Sequence, residues 1–476
     1  MNKLTSLKFF DEKIVFITER IFKVLFLLYA AFSYCSITYG HPIISFLMWP
    51  TVLVGAIVLL QRLVLFKEYK KMPILLPCVA FILCLCISIA ANISYDLKLN
   101  VILLGYFVFY FFILFTHSEN KTMDKIKNEM RFFSSLFVVY TTIAIIASFI
   151  IMFAGFNSIR QVNADNFEIV VGFKFGRLWG VFLGPNGGAT FSLVSIIMML
   201  YGIFKSKKNL FKVILSINII IHMLYITFSD SRTALISFLI VPICTGLLYT
   251  ATCGSIKRFR FIKSTMLSIL ATVLCFAFVS VAKSSYNAII TSLNSNQSSS
   301  SESKPNENPS NDFETIDRNY NLEDDYSNRR FDLWKSAFEV YSDSKKNILV
   351  GTSYYGMRMY SYEYLPDTYL VNNTHTDFAN FHNEFINILV AQGAIGFAVV
   401  VWMILSVIIL AVKKLKNFNP SNSLEFTTAA AIVLSLALSS MFIPGIFYLF
   451  APSTIIFWMF LGYGVMILQK GSDQES

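Results

Sequence analysis

The chain has 476 residues, 55% of them apolar and only 14% charged, with a formal charge of +10 at neutral pH. A soluble domain of this size needs more charge to cover its surface, so a water-soluble globule is excluded. The positive excess lies in short segments between apolar runs, not in a basic, aromatic-interleaved domain; it argues against nucleic acid and reads as membrane topology with attraction to anionic lipid.

In chain order, apolar runs long enough to cross roughly 30 Å of hydrocarbon are predicted at residues 21–39, 43–65, 72–91, 99–116, 132–155, 178–204, 210–228, 233–253, 261–282, 384–412, 426–449 and 453–468. The expected fold is therefore an all-α polytopic membrane protein with about 12 transmembrane helices. The basic start, Met1 to Lys13, lacks a small-residue cleavage site and is read as leading into a retained first helix. Basic clusters recur in every second connection: Arg62/Lys67/Lys70/Lys71, Lys121/Lys125/Lys127/Arg131, Lys205/Lys207/Lys208/Lys212, Lys257/Arg258/Arg260/Lys263 and Lys413/Lys414/Lys416. By the positive-inside rule these are cytoplasmic, an even span count puts both termini there too, and the longest connection faces outward.

Three regions follow: spans one to nine over 1–282, an outer loop over 283–382, and spans ten to twelve with a cytoplasmic tail over 383–476. From 284 to 328 the loop is rich in Ser and Asn and carries eight acids against Lys304 and Arg318, a composition expected to stay disordered. From 330 to 382 it is expected to be partly helical, because Phe331, Trp334, Phe338 and Tyr341 recur at helical spacing. The seven cysteines lie in or beside apolar runs and none in the loop, so a disulfide-stapled outer domain is not expected. No internal repeat stands out, which disfavours a transporter built on inverted halves.

Once the basic connections are set aside, few charged groups remain. Arg177, Arg232, Arg330 and His382 come from separated parts of the chain yet fall at one membrane level, the outer boundary. An arginine at a helix end usually snorkels to the headgroups, and a histidine at a helix start usually caps it; the coincidence of level is what singles the four out. Asn186, Asn383, Glu384 and His375 are supporting candidates, His375 being a rival base. Gly184-Pro185-Asn186-Gly187-Gly188 is expected to interrupt a helix after Arg177, and Gly393 and Gly396 to permit close packing. No Asp-x-Asp or tight carboxylate pair stands beside the arginines; Asp230 and Asp332 read as arginine partners, and no metal or other cofactor is expected.

His382-Asn383, nine residues, then Gly393-Ala-Ile-Gly396 resembles the His-Asn-x9-Gly-x-x-Gly signature of the O-antigen ligase and O-antigen polymerase family. The blocks from Arg177 to Asn186, Ser231-Arg232 and Arg330-Phe-Asp-Leu-Trp334 are similar to that family's other blocks, so the resemblance spans roughly Arg177 to Gly396. It implies a C-type glycosyltransferase-like fold with the large loop between spans nine and ten. It also implies transfer of an undecaprenyl-diphosphate-linked oligosaccharide at the outer face of the bacterial inner membrane, with a glycan or lipid A-core as acceptor. Membrane lipids, a chain-length regulator and a flippase are the implied partners.

The residue types suit that chemistry. A diphosphate leaving group is already a stable anion and needs cationic stabilisation, which guanidinium forks supply to phosphate oxygens. A sugar hydroxyl attacks only as it loses its proton, and a histidine of near-neutral pKa is the usual base. His382 is accordingly the expected base, with Arg177, Arg232 and Arg330 as the diphosphate clamp. Phe397 replaces the Thr often found after the second glycine, and together with the acidic insertion favours a polymerase over a ligase; a polysaccharide flippase is the reading from another class.

Overall fold

The structure is a computed structural model and describes residues 8–115, 118, 120–162, 167–252, 258–298, 314–316, 330–372 and 380–472. It is a helical membrane-type bundle. The first half comprises α1 (Glu12–Ser33), α2 (Pro42–Val64), α3 (Leu75–Ala91), α4 (Leu97–Phe109) and α5 (Met123–Phe153), followed after a small sheet by α6 (Pro185–Lys205) and α7 (Asn209–Ser229). Then come α8 (Arg232–Thr252), α9 (Arg258–Ser298), the short α10 (Arg330–Ser342), α11 (Lys345–Val350), α12 (Gly356–Tyr364) and α13 (Tyr369–Asn372), and finally α14 (Glu384–Leu415), α15 (Ser423–Ser440) and α16 (Pro452–Ser472).

Among the described residues, ten helices are long and apolar enough to cross a membrane; Leu75–Ala91 is apolar but shorter. The remaining expected span, 21–39, is corrected to α1, which begins nine residues earlier at Glu12 and ends at Ser33. A hydropathy reading passes over its first turns because they carry Glu12, Lys13, Glu19 and Arg20, but Glu19, with Lys23 one turn on, is buried in an ion cluster. Glu19 pairs with Lys23 at 2.6 Å and Arg62 at 2.8 Å, and Glu129 pairs with Lys23 at 2.7 Å and with Lys121. Arg62 also donates to the carbonyls of Phe112 and Ile113, where α4 runs on as a π-helical turn over Tyr110–Leu114. Buried charges in such a setting persist only when paired, and here they tie α1, α2, the end of α4 and α5 together.

The centre of the bundle is α16, almost all of whose residues are buried, with Trp458 and Tyr463 among the largest enclosed side chains. Outer helices leave apolar residues exposed, as Leu267, Leu270, Val273 and Leu274 do on α9, which suits a lipid surface.

Three features depart from the expected pattern. The run expected as a helix from 178 begins as a strand: β1 (Ser158–Val162), β2 (Phe167–Lys174) and β3 (Arg177–Gly180) form an antiparallel sheet in the order β1-β2-β3. The residues 284–298, expected to be disordered, continue α9 as helix, and Glu314–Ile316 are packed against it; the rest of the acidic stretch lies outside the described residues. The span expected to reach 449 stops at Ser440, and a non-helical bend leads into α16 at Pro452.

Candidate active site

Arg177 owes its position to the sheet. Lys174-Phe175-Gly176-Arg177 is a two-residue hairpin turn in which Phe175 (φ 56°) and Gly176 (φ 66°) both take the left-handed conformation that a type I′ turn requires. From the first position of β3, the Arg177 guanidinium donates from Nε to the Ser229 carbonyl at 2.8 Å and from Nη2 to Asn186 Oδ1 at 2.7 Å. Those acceptors lie on two different helices, the last residue of α7 and the first turn of α6. Gly184 caps α6 and Pro185 opens it, so the Gly-Pro-Asn-Gly-Gly stretch starts a helix instead of breaking one. Its glycines admit neighbours: a methyl on Gly187 would fall 2.2 Å from the Tyr34 hydroxyl, and one on Gly188 2.4 Å from that of Tyr225.

Beyond Ser229 the chain turns at Asp230 (φ 45°) and Arg232 opens α8, so Arg177 is bonded to the corner from which Arg232 emerges. Asp230, expected as an arginine partner, pairs with Lys283 of α9 at 3.1 Å instead. A segment of the acidic loop holds the hairpin from the other side. Glu314 accepts the Gly176 N–H at 2.7 Å, and the Asn287 amide brackets Ile316, accepting its N–H at 2.8 Å and donating to its carbonyl at 3.0 Å. Ile316 is fully buried.

His382 sits on a second, separately built arm. Trp334 of α10 donates to the Phe381 carbonyl at 3.0 Å, the Phe381 N–H donates to Asn387 Oδ1 at 2.8 Å, and the His382 N–H donates to Asn380 Oδ1 at 2.8 Å. Asn383 then caps α14, its side chain accepting from the Phe385 and Ile386 N–H groups. This frame holds His382 at φ 53°, a conformation unfavourable for a residue with a Cβ and sustained only where the surroundings impose it.

The imidazole is solvent-exposed, yet protein crowds around it and Arg330 lies near. Crowding first, and the guanidinium second, disfavour the charged ring and hold its pKa below the ordinary histidine value, so at neutral pH it is a free base. Arg330 opens α10 with its guanidinium 5.7 Å from the Phe442 ring.

Phe442 belongs to the bend between α15 and α16, and Glu384 fixes that bend. Its carboxylate is buried and accepts the N–H groups of Gly445 at 2.7 Å and Tyr448 at 2.8 Å. Glu384 is thus a brace for the backbone under Arg330. Tyr448 in turn stacks on Tyr354 at 4.3 Å and accepts from Gln392 Nε2 at 2.9 Å.

Gly393 interrupts α14 with φ 65°, and a methyl there would meet the Leu349 backbone at 2.4 Å. The carbonyls freed by the interruption are satisfied: Val390 accepts from Thr352 N–H and Ala391 from Ser353 N–H, both at 3.0 Å. Gly393 therefore admits the backbone of the 349–353 segment, a closer approach than the helix packing expected of it. Gly396 faces the Gln392 side chain of its own helix.

A relay of contacts connects these arms. Arg177 is bonded to Asn186, whose carbonyl accepts from Thr190; Thr190 bonds Ser439 at 3.4 Å; and the chain from Ser440 runs straight to Phe442 and Arg330. His375 lies outside the described residues. Glu314, Phe442 and the hairpin were not singled out by the sequence, since an acid among eight and an aromatic within an apolar run carry no local signal.

Residues 217–401 match the family model described as O-Antigen ligase. No curated protein matches the chain. The matched region contains Arg232, Arg330, His382 and both signature glycines, and Arg177 and Asn186 precede it. Over that region the chain is thus similar to the O-antigen ligase/polymerase family.

Proposed function

We propose that this protein is a metal-independent, inverting glycosyltransferase of the membrane. It moves an undecaprenyl-diphosphate-linked oligosaccharide onto a sugar hydroxyl at the outer face of the bacterial inner membrane, with both termini in the cytoplasm. No nucleotide sugar or ATP is present on that side, so the energy of transfer has to arrive in a lipid-linked donor.

In the step, the acceptor oxygen attacks the anomeric carbon of the donor from the face opposite the diphosphate. The new C–O bond forms as the bond to the diphosphate oxygen breaks, the electron pair leaves with undecaprenyl diphosphate, and the hydroxyl proton passes to His382. Arg177, Arg232 and Arg330 neutralise the departing anion. The observation that carries this reading is the pairing of functions at one place: a histidine kept neutral, and so able to accept a proton, with Arg330 beside it.

The favoured acceptor is a second lipid-linked repeat unit, which makes the protein a polymerase of an O-antigen or capsule glycan. The description of the matching family favours the second reading, ligation of the finished glycan to lipid A-core. Purified protein given a synthetic diphosphate-linked repeat unit separates them. A ladder of products establishes polymerisation, transfer only when lipid A-core is added establishes ligation, and no transfer in either case removes the proposal.

A further inference from the structure

Outside the His/Arg site, the described residues line an open cavity of about 410 Å³ between α10 and the turn that joins α12 to α13. Its size falls in the range of small-molecule sites, about 300–1,000 Å³. Asp332, Lys335, Ser336 and Glu339 line it from α10, and Tyr364, Asp367 and Tyr369 from the turn. The α10 residues follow the i, i+3, i+4, i+7 pattern of one helix face. The other face is committed elsewhere, with Leu333, Ala337 and Val340 buried and Trp334 bonded to the Phe381 carbonyl.

A charged helix face usually does no more than meet water, but two observations set this one apart. Ser336 is only 2% exposed, and among the described residues its hydroxyl has no hydrogen-bond partner. That oxygen is not among the fully enclosed polar atoms and so opens onto the cavity, where it can donate to or accept from a ligand. In addition, Asp332, Lys335, Glu339 and Asp367 form no ion pair within the described part of the chain, so their acceptors and donors remain available. Nor do these carboxylates gather tightly enough to hold a metal ion.

We propose that this cavity is a saccharide subsite, holding a sugar unit of the glycan away from the bond being made. The inference rests on the transferase reading and narrows its substrate. Three acceptor-only carboxylates match the hydroxyl donors of a sugar, Lys335 can donate to a ring or bridging oxygen, and Tyr364, whose side chain is exposed, offers a ring face to the apolar C–H side of a pyranose. Three negative charges against one positive also select against acidic sugars. The unit held here is therefore neutral or carries an amino group.

The test uses full-length protein in detergent and the glycan freed by mild acid from the lipid-linked pool of cells that produce the protein, with tetragalacturonate as the acidic control. Calorimetric titration should show binding to the wild type and equally to His382→Ala. Binding should weaken at least tenfold in Asp332→Asn/Glu339→Gln and in Tyr364→Ala, at unchanged melting temperatures, and tetragalacturonate should not bind. Unaltered affinity in both variants, no binding by the wild type, tetragalacturonate bound as tightly, or a cellular glycan composed mainly of uronic acids would each overturn the subsite. Binding with these properties in a protein that transfers nothing would leave the subsite standing and sink the transferase reading instead.

Discussion

At the scale of single residues, the account turns on His382 being a neutral base. Its pKa is lowered from 6.5, so the acid limb of kcat/KM against pH should lie below that value: activity is retained above the lowered pKa and lost as pH falls through it. Arg330 supplies part of the lowering, so Arg330→Gln should move the limb upward while Arg330→Lys leaves it near its wild-type position. A limb that does not respond to the Arg330 charge would mean that another group titrates. Arg177 allows a geometric test. It spends Nε on one helix and Nη2 on another, a reach that an ammonium cannot reproduce, so Arg177→Lys should lose nearly as much transfer activity as Arg177→Ala. Full activity in the lysine variant would reduce Arg177 to a diffuse surface charge.

How legible these residues were in the sequence depended on the kind of constraint. Arg177, Arg232, Arg330 and His382 stood out because a polar group at a membrane boundary is conspicuous against an apolar background. Glu384 was equally visible but its task was not. It acts through a bend some sixty residues further along the chain, and spacing along one helix says nothing of such a contact. Glu314 was hidden among seven other acids of similar composition.

At the scale of elements, the helices were legible and the hairpin was not. Hydropathy over a window registers how apolar a stretch is and not whether its period is 2 or 3.6. The start of the expected span at Leu178 satisfies the first criterion while Arg177–Gly180 folds as a strand, and the hairpin's turn lacks the usual Asn-Gly signal because Phe175 occupies the first left-handed position. The interruption of α14 is the other decisive local feature. Gly393→Ala imposes both an unfavourable φ and a 2.4 Å approach to the Leu349 backbone, so it should sharply lower the yield of folded protein in detergent. Gly105→Ala, in α4, meets nothing within 4 Å and should be neutral or slightly stabilising, by up to about 1 kcal/mol. Equal behaviour of the two variants in a thermal melt would contradict the close approach of α14 to the 349–353 segment.

At the scale of the whole molecule, the bundle separates stability from chemistry. The ion cluster of Glu19, Lys23, Arg62, Lys121 and Glu129 joins four elements of the first half, and no member is among the residues assigned to transfer. Replacing one buried partner strands the others, so Glu129→Gln should destabilise the fold by about 3–5 kcal/mol. Breaking the exposed Lys125–Glu12 pair should cost no more than about 1 kcal/mol. Residual activity per folded molecule should be unchanged in both, as denaturation and transfer measured on the same samples will show. The first span was misplaced in the sequence for the same reason that this cluster exists: charges that look aqueous in isolation are buried because partners distant in the chain await them.

The central claim is that a neutral imidazole and three guanidinium groups of this bundle release a lipid diphosphate by activating a sugar hydroxyl. The most direct measurement is the rate of polyprenyl diphosphate release from a synthetic lipid-linked repeat unit, compared between wild-type protein and His382→Ala at equal membrane levels. The account predicts product-coupled release by the wild type and a loss of roughly 10²–10⁴-fold in the variant. Release by His382→Ala at the wild-type rate would contradict it.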